Sequence, residues 1–368
     1  MKKIAVVYGT RPEAIKLAPV IVELKKMDNL EVIVICTGQH KEMLVGIMEL
    51  WDLIPDYSIE PKFISGHSST LPALMLEIEK LLKEIQPDCV MVQGDTATAT
   101  AGALQAHALH IPVAHVEAGL RSGDLWNPWP EEANRKVIDA IASLHFAPTS
   151  ASAENLEREG HESTTVLTGN TIVDALVHAT KKLDDNPQIN QELVDLLGFS
   201  LSEKFILLTQ HRREGFGEGQ TQVFKAISEL AELGHKIVFP VHLNPNVQEK
   251  VKETLNQKQG IYLIPPQEYL SFLELTRMCS LIVSDSGGLQ EEAAYFGKRI
   301  LVTRLTTERP EIIQSGLGVL VGYDGAVITN LAHSHFTHKN EIQISVNPFG
   351  DGDSSKLICN VILEFLVV

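Results

Sequence analysis

Short runs rich in Val and Ile recur along this chain at residues 4–7, 32–36, 89–92, 113–116, 205–208, 237–241, 262–264, 281–283, 300–302 and 319–321. None alternates polar with apolar residues, so a strand built from any of them has two faces to bury rather than one. Longer stretches with helical apolar spacing lie between them, among them 12–26, 71–84, 98–110, 224–233 and 289–296. A parallel sheet with helices on both faces covers such strands, and alternation of strand and helix is how a chain builds one. The α/β class with parallel sheets follows.

A chain of 368 residues is too long for one ordinary domain and suits two. The alternation pauses between Asp174 and Lys204, across a polar stretch that includes Asp184, Asp185, Asn186 and Pro187, and a second strand series opens at Phe205. The hinge is therefore placed near 168–174. One doubly wound, Rossmann-like domain is expected over residues 1–170 and another over 171–353. Residues 326–346 carry little pattern, and 347–352 read as turn chemistry. Ser354 and Ser355 are read as the cap of a last apolar helix, and 354–368 are expected to pack back on the first domain.

The balance of 31 Lys and Arg against 47 Asp and Glu gives a formal charge of −16, which repels a phosphate backbone and argues against a nucleic-acid partner. Cys36, Cys89, Cys279 and Cys359 form no C-x-x-C spacing and read as buried small hydrophobes in a reducing compartment. No run of about 18 apolar residues occurs, and the stretch 4–8 is too short for a signal sequence. The cytoplasm is the expected location, with no membrane partner.

In open α/β sheets ligands bind beyond the carboxyl ends of the strands. Those positions here are crowded with polar groups: Arg11, Glu13 and Lys16; Gln39 and His40; Asp95; Glu117 and Arg121; His211, Arg212, Arg213 and Glu214; His242; Asp285 and Ser286; Arg304, Glu308 and Arg309. Such a concentration in both halves points to an active site in an inter-domain cleft. Ser286, Gly287 and Gly288 follow a strand and enter a helix, a place where backbone amides hold a diphosphate, with Glu292 two turns in as a candidate for ribose hydroxyls. A G-x-G-x-x-G fingerprint is missing, so a nicotinamide cofactor has no evident home. Asp95, Glu117, Glu131 and Glu132 are candidate proton-transfer groups. For each a structural role competes: Asp95 as a helix cap, Glu131 and Glu132 as a first helical turn after Pro130. His333, His335 and His338 lack carboxylate support for a metal and read as surface histidines.

The strings GTRPEAIKLAP (9–19), GQH (38–40), GDT (94–96), HVEAGLRSGD (115–124), PWPEEANR (128–135), HFAPT (145–149), TGNTIVDAL (168–176), HRRE (211–214), PVHLNPNV (240–247), PQEYLSF (266–272), DSGGLQEEA (285–293), TTERPE (306–311) and NPFGDG (347–352) resemble, in order along nearly the whole chain, the non-hydrolysing UDP-N-acetylglucosamine 2-epimerases of bacteria. The resemblance implies a two-domain fold of the glycosyltransferase B type, a homodimer, no cofactor, and interconversion of UDP-GlcNAc with UDP-ManNAc for surface polysaccharide synthesis. It implies removal of the C2 proton as UDP leaves C1, a 2-acetamidoglucal intermediate, and re-addition with C2 inverted. Carried over by position, the catalytic set is Lys16, Asp95, Glu117, Glu131 and His211. The nucleotide contacts are Arg11, Gln267, Phe272, Ser286, Gly287, Gly288, Glu292 and Arg309. An activator site for a second UDP-GlcNAc falls on Gln39, His40, Arg212 and His242.

The sequence departs from the family's pattern at Gly215 after HRRE, at Leu305 before TTERPE, at Arg299 after Gly-Lys, and over 61–70, where only Lys62 and His67 are available as cations. The last departure predicts weakened activation. A hydrolysing relative releasing ManNAc and UDP, a glycosyltransferase needing an acceptor, and a sugar-nucleotide sensor without turnover are the competing functions; retention of every expected carboxylate favours the epimerase.

Overall fold

The structure, a computed structural model, describes residues 1–38, 41–59, 67–337 and 347–367. They form two compact units, Met1–Val177 with Phe349–Val368, and His178–Pro348.

The first unit runs β1 (Lys2–Tyr8), α1 (Arg11–Leu24), β2 (Leu30–Cys36), α2 (Lys41–Leu50), β3 (Tyr57–Ser58), α3 (His67–Ile85), β4 (Cys89–Gln93), α4 (Ala97–Ala108), β5 (Val113–Val116), α5 (Glu131–Ile141), β6 (Leu144–Ala147), α6 (Ser150–Arg158) and β7 (Thr165–Leu167), and enters α7 (Thr171–Asp184). Its 7-stranded sheet has the order β3-β2-β1-β4-β5-β6-β7, and every pairing is parallel. The direction of winding reverses between β1 and β4, so the loops after these two strands flank the sheet's crevice. The central strands are mostly apolar because both faces are covered; Val7, Val90 and Val92 sit in one core cluster with Leu74, Ile78 and Leu82 of α3 and Ala99 and Ala103 of α4.

The second unit holds α8 (Gln188–Leu197), β8 (Phe205–Thr209), α9 (Glu218–Glu232), β9 (Lys236–Pro240), α10 (Pro245–Thr254), β10 (Ile261–Ile264), α11 (Tyr269–Met278), β11 (Leu281–Ser284), α12 (Gly288–Tyr295), β12 (Arg299–Val302), α13 (Pro310–Gln314), β13 (Gly318–Leu320) and α14 (Gly325–Thr337). The 6-stranded sheet, order β10-β9-β8-β11-β12-β13, is again parallel, and its reversal lies between β8 and β11. The two sheets therefore repeat one plan.

α15 (Ser354–Val367) belongs to the first unit, where it packs on α1; the Cys359 thiol lies 3.7 Å from the Val20 carbonyl oxygen. The cap expected from Ser354 and Ser355 is supplied differently. Both residues are already inside the first turn, and the Ser355 N–H donates to the Asp174 carboxylate of α7 at 2.8 Å. Burial, offset in part by these bonds, raises the Asp174 pKa. Two further stretches differ from the sequence reading. The polar stretch after Pro187 is helix α8, which buries only Leu193 and Leu197, one turn apart. The weakly patterned region begins with helix α14. His333 and His335 of that helix are half-buried rather than superficial: His235 Nε2 lies 3.0 Å from His333 Nδ1, and His335 Nε2 lies 2.9 Å from the Ser280 carbonyl. His338 falls outside the described residues.

Candidate active site

At the winding reversal of the first unit, the loop after β1 is built for close approach. A Cβ at Gly9 would stand 2.0 Å from Thr37 Oγ1 and 2.4 Å from Thr98 Oγ1, so no side chain fits there. The next turn starts α1 with half-buried Arg11 as its first residue and Pro12 behind it, where a missing N–H costs nothing. Glu13, fully buried, folds back: one carboxyl oxygen accepts from the Gly9 and Thr10 N–H groups at 3.1 and 2.7 Å, the other from the Thr96 hydroxyl at 2.6 Å. It thus ties the β1 loop to the β4 loop. Burial pushes its pKa up to about 7, with the hydrogen bonds opposing.

The β4 loop, Gly94-Asp95-Thr96, is held from several sides. Thr96, not Asp95, caps α4, accepting from the Ala99 N–H at 3.0 Å. The Asp95 carbonyl accepts from Asn134 Nδ2 at 2.8 Å, and the Asp95 carboxylate pairs with the buried Arg135 guanidinium of α5. Arg135 also holds Glu132, whose carboxylate accepts from the Ser122 and Gly123 N–H groups at 2.9 and 3.2 Å. Burial opposes ionisation of Glu132, but these bonds and Arg135 outweigh it and lower its pKa. Glu131, half-buried, and Glu132 do form the first turn of α5 after Pro130.

Glu117 follows β5 with φ 65°, a left-handed conformation that costs a non-glycine residue about 1 to 2 kcal/mol. Its buried carboxylate is paired with Lys16 Nζ from α1 and accepts from Asn170 Nδ2 at 3.2 Å. Lys16, Glu117, Asp95 and Arg11 thus share the sheet edge at which the winding reverses. A buried Lys–Glu pair contributes little net stability, yet removing either partner is expensive, which makes it a device for holding a carboxylate in one place.

At the reversal of the second unit, Asp285 after β11 is 2% exposed and accepts from the His211 and Arg212 N–H groups, each at 2.8 Å, while His211 Nδ1 stands 3.0 Å from its other oxygen. Burial alone would raise the Asp285 pKa; His211 and the two N–H groups hold it below the ordinary value. The His211 ring stacks on His242 at 5.7 Å between centroids, and burial, then the His211 charge, lowers the His242 pKa. The Ser286-Gly287-Gly288 loop leads into α12, whose first-turn N–H groups and dipole favour an anion. It is braced from below: Ser286 N–H donates to Ser284 Oγ at 2.9 Å, and Gln290 Nε2 donates to the Ser286 carbonyl at 3.2 Å.

Beside this loop lies a buried charge network. Arg309 is held by Glu291 (2.6 Å) and Glu308 (2.7 Å), and Arg304 by Glu308 (2.8 Å) and Glu214 (3.0 Å). Arg212 approaches Glu308 at 3.8 Å. Burial would raise the Glu308 pKa, but Arg309, Arg304 and Arg212 more than offset that and keep it ionised. A Cβ on Gly287 would meet Arg309 Nη1 at 2.8 Å and Glu308 Oε1 at 2.9 Å, so the loop packs on the network backbone-first. Glu292 is half-buried on α12; Gln267, after β10, and Phe272, on α11, are half-buried, with Gln267 Nε2 donating to the Pro265 carbonyl at 2.7 Å.

A family model described as UDP-N-acetylglucosamine 2-epimerase matches residues 22–363. The chain belongs to that family. It is 42% identical over 373 residues to the UDP-N-acetylglucosamine 2-epimerase of Salmonella typhimurium, covering 99% of each chain. The crystal structure of the Neisseria meningitidis UDP-GlcNAc 2-epimerase bound to UDP-GlcNAc superposes with a TM-score of 0.93 at 39% identity, over 99% of this chain and 100% of that one. The Methanocaldococcus jannaschii enzyme in complex with UDP-GlcNAc and UDP gives 0.89 at 35%, over 98% and 99%. The fold is accordingly the glycosyltransferase B type, with two parallel-sheet Rossmann-like domains, and the family's enzymes are isomerases.

For this member of the 2-epimerase family, Arg11, Lys16, Asp95, Glu117 and Glu131 fall in the first unit and His211, Arg212, His242, Ser286, Gly287, Gly288, Glu292 and Arg309 in the second. Gln39 and His40, and residues 61–66 of the altered loop, lie outside the described residues. The sequence reading named Glu13, Asp285 and Glu308 as strand-end polar groups but missed that they hold their neighbours in place, and it missed Asn170 against Glu117 and Arg135 against Asp95. Among the departures, Gly215 has a packing reason, since a Cβ there would lie 3.2 Å from the Tyr323 ring. No group of His, Cys, Asp and Glu among the described residues is arranged to hold a metal ion, and no helix among them is long and apolar enough to cross a membrane.

Proposed function

We propose that this protein interconverts UDP-N-acetylglucosamine and UDP-N-acetylmannosamine without hydrolysis. One carboxylate takes the C2 proton as the C1–O bond breaks and UDP leaves, giving 2-acetamidoglucal. Re-addition of the UDP oxygen to C1 with protonation of C2 on the other face then inverts that centre. The observation that carries the reading is the end-to-end match to relatives named for this activity, with 99% of the chain aligned to 99% of the Salmonella typhimurium enzyme.

The chemistry of the two clusters supports a division of labour. In the second unit the Ser286–Gly288 loop and the start of α12 suit the diphosphate, with Glu292 for the ribose; His211, oriented by Asp285, suits the departing phosphate. In the first unit Asp95, Glu117 and Glu131 are the proton-transfer groups, and Lys16 and Arg11 supply positive charge. The arrangement asks nothing of a redox cofactor, because proton and leaving group both return. A cytoplasmic homodimer feeding surface polysaccharide synthesis completes the proposal.

The test is an NMR time course of the purified protein with UDP-GlcNAc in D₂O with EDTA present. A UDP-ManNAc anomeric signal with deuterium at C2 is the expected outcome. Free ManNAc would establish the hydrolysing reaction instead, and an unchanged substrate would refute turnover.

A further inference from the structure

His115 lies in the middle of the first unit, fully buried on β5, two residues before Glu117. Both of its ring nitrogens face oxygen: Nδ1 is 2.6 Å from Asp139 Oδ1, and Nε2 is 2.8 Å from the carbonyl oxygen of Gly94. A carbonyl oxygen has no proton to give, so Nε2 carries the hydrogen of that bond. The remaining question is which partner keeps the proton between Nδ1 and Asp139. The second oxygen of Asp139 accepts from the Gly119 N–H at 3.2 Å and the Arg121 guanidinium at 2.8 Å. Burial opposes the charge on Asp139, but His115 and Arg121 outweigh it and hold its pKa far below the ordinary carboxylate value. With its other oxygen held by two donors, Asp139 is the acceptor of the remaining bond, and the shared hydrogen lies on the ring.

We propose that His115 is a buried imidazolium and a positioning residue, which clamps the Gly94 carbonyl and thereby fixes the turn that presents Asp95, with Asp139 as its counter-ion. The inference rests on the epimerase reading for what Asp95 does, but not for the charge itself. The groups facing the ring are Asp139 of α5, the Gly94 carbonyl after β4 and, across Asp139, Arg121 and His145, whose Nε2 lies 2.8 Å from the Asp139 carbonyl. Glu159 balances Arg121 at 2.5 Å and pairs with Lys136 at 2.9 Å. The Gly94 carbonyl is thus the one contact that runs from this buried cluster to the Asp95 loop through His115. A clamp on a main-chain oxygen also explains why a histidine, and not a simple hydrophobe, occupies an apolar strand: an imidazolium donates in two nearly opposite directions, to one acceptor on each side.

Two measurements test the proposal. The first is ¹⁵N-histidine NMR of the wild-type protein, with the resonance assigned by its loss in a His115 variant. Both ring nitrogens are expected to be protonated at about pH 7, since each faces an acceptor; one unprotonated nitrogen would overturn the assignment whether or not the protein is an epimerase. The second compares His115→Gln, whose amide nitrogen reaches the Nε2 position and keeps the bond to the Gly94 carbonyl, with His115→Asn, which reaches only the Nδ1 position. His115→Asn should lose on the order of 10²-fold in kcat at unchanged UDP affinity, while His115→Gln retains most of it. Equal losses in the two variants, or a loss of UDP affinity in step with kcat, would show a role in the core alone. If the wild type fails to epimerise, the functional reading falls and the NMR result still decides the charge.

Discussion

Replacing Glu13 by Gln isolates the free energy of one buried carboxyl. In the folded protein its pKa rises from an ordinary 4.5 to about 7, so between those values the native state binds a proton that the unfolded chain has released. Stability from this group is therefore greatest at low pH and falls as the pH rises towards 7; above 7 the cost of burying the ionised form is fully present. The whole difference corresponds to about 3 kcal/mol, most of which is realised at about pH 5. Wild type should thus gain about 2 to 3 kcal/mol on the Glu13→Gln variant in going from about pH 8 to about pH 5, all other titrations cancelling in the difference. Urea unfolding followed by tryptophan fluorescence reads the right part of the molecule, because Trp51, Trp126 and Trp129 all lie in the unit that contains Glu13. A difference that stays within about 0.5 kcal/mol across that range would refute the reasoning, and would mean that the Gly9, Thr10 and Thr96 donors stabilise the carboxylate enough to cancel its burial.

The amides Asp95→Asn, Glu117→Gln and Glu131→Gln should each lower kcat by about 10² or more with little change in UDP affinity; an unchanged kcat removes that residue from the proton-transfer set. Glu117→Gln should also lower the stability of its unit by about 3 to 5 kcal/mol, since the Lys16 ammonium loses this buried carboxylate. Gly287→Ala, whose methyl would press on Arg309 and Glu308, should weaken UDP binding by about tenfold or more in calorimetric titration without altering the unfolding of the first unit; wild-type affinity would show that the loop can move aside.

The apolar runs that announce the fold are strands of the two sheets, and they are readable because a strand buried on both faces leaves no polar interruption. The strands that escape such reading break the rule physically. β3 has only Tyr57 and Ser58, β7 is a partly exposed edge, and β6 carries His145, whose polarity is met by the Asp139 carbonyl and Thr164 rather than by water. Strand ends point to the candidate site for a similar reason: in a parallel sheet all carboxyl ends lie on one side, so position along the chain implies a place in space. Partnerships do not follow that logic. Lys16 meets Glu117 across 101 positions and Thr96 meets Glu13 across 83, and neither pairing leaves a local trace. Glu131 and Glu132 are adjacent and alike as text, yet only the fold reveals that Glu132 is engaged by Arg135 and two backbone N–H groups.

The second unit is inserted into the first, and this orders events during synthesis. Residues 178–348 are all made before α15, and at about 5 to 20 residues per second their synthesis leaves α1 for many seconds without the helix that covers it. The returning segment also reaches the candidate site. The Phe349 carbonyl accepts the Asn170 N–H at 2.8 Å, and Asn170 is the residue that holds Glu117. The carboxylate nearest Lys16 is therefore braced by a segment made after the whole of the second unit, so a nascent chain that has finished that unit still has an unfinished Lys16–Glu117 cluster.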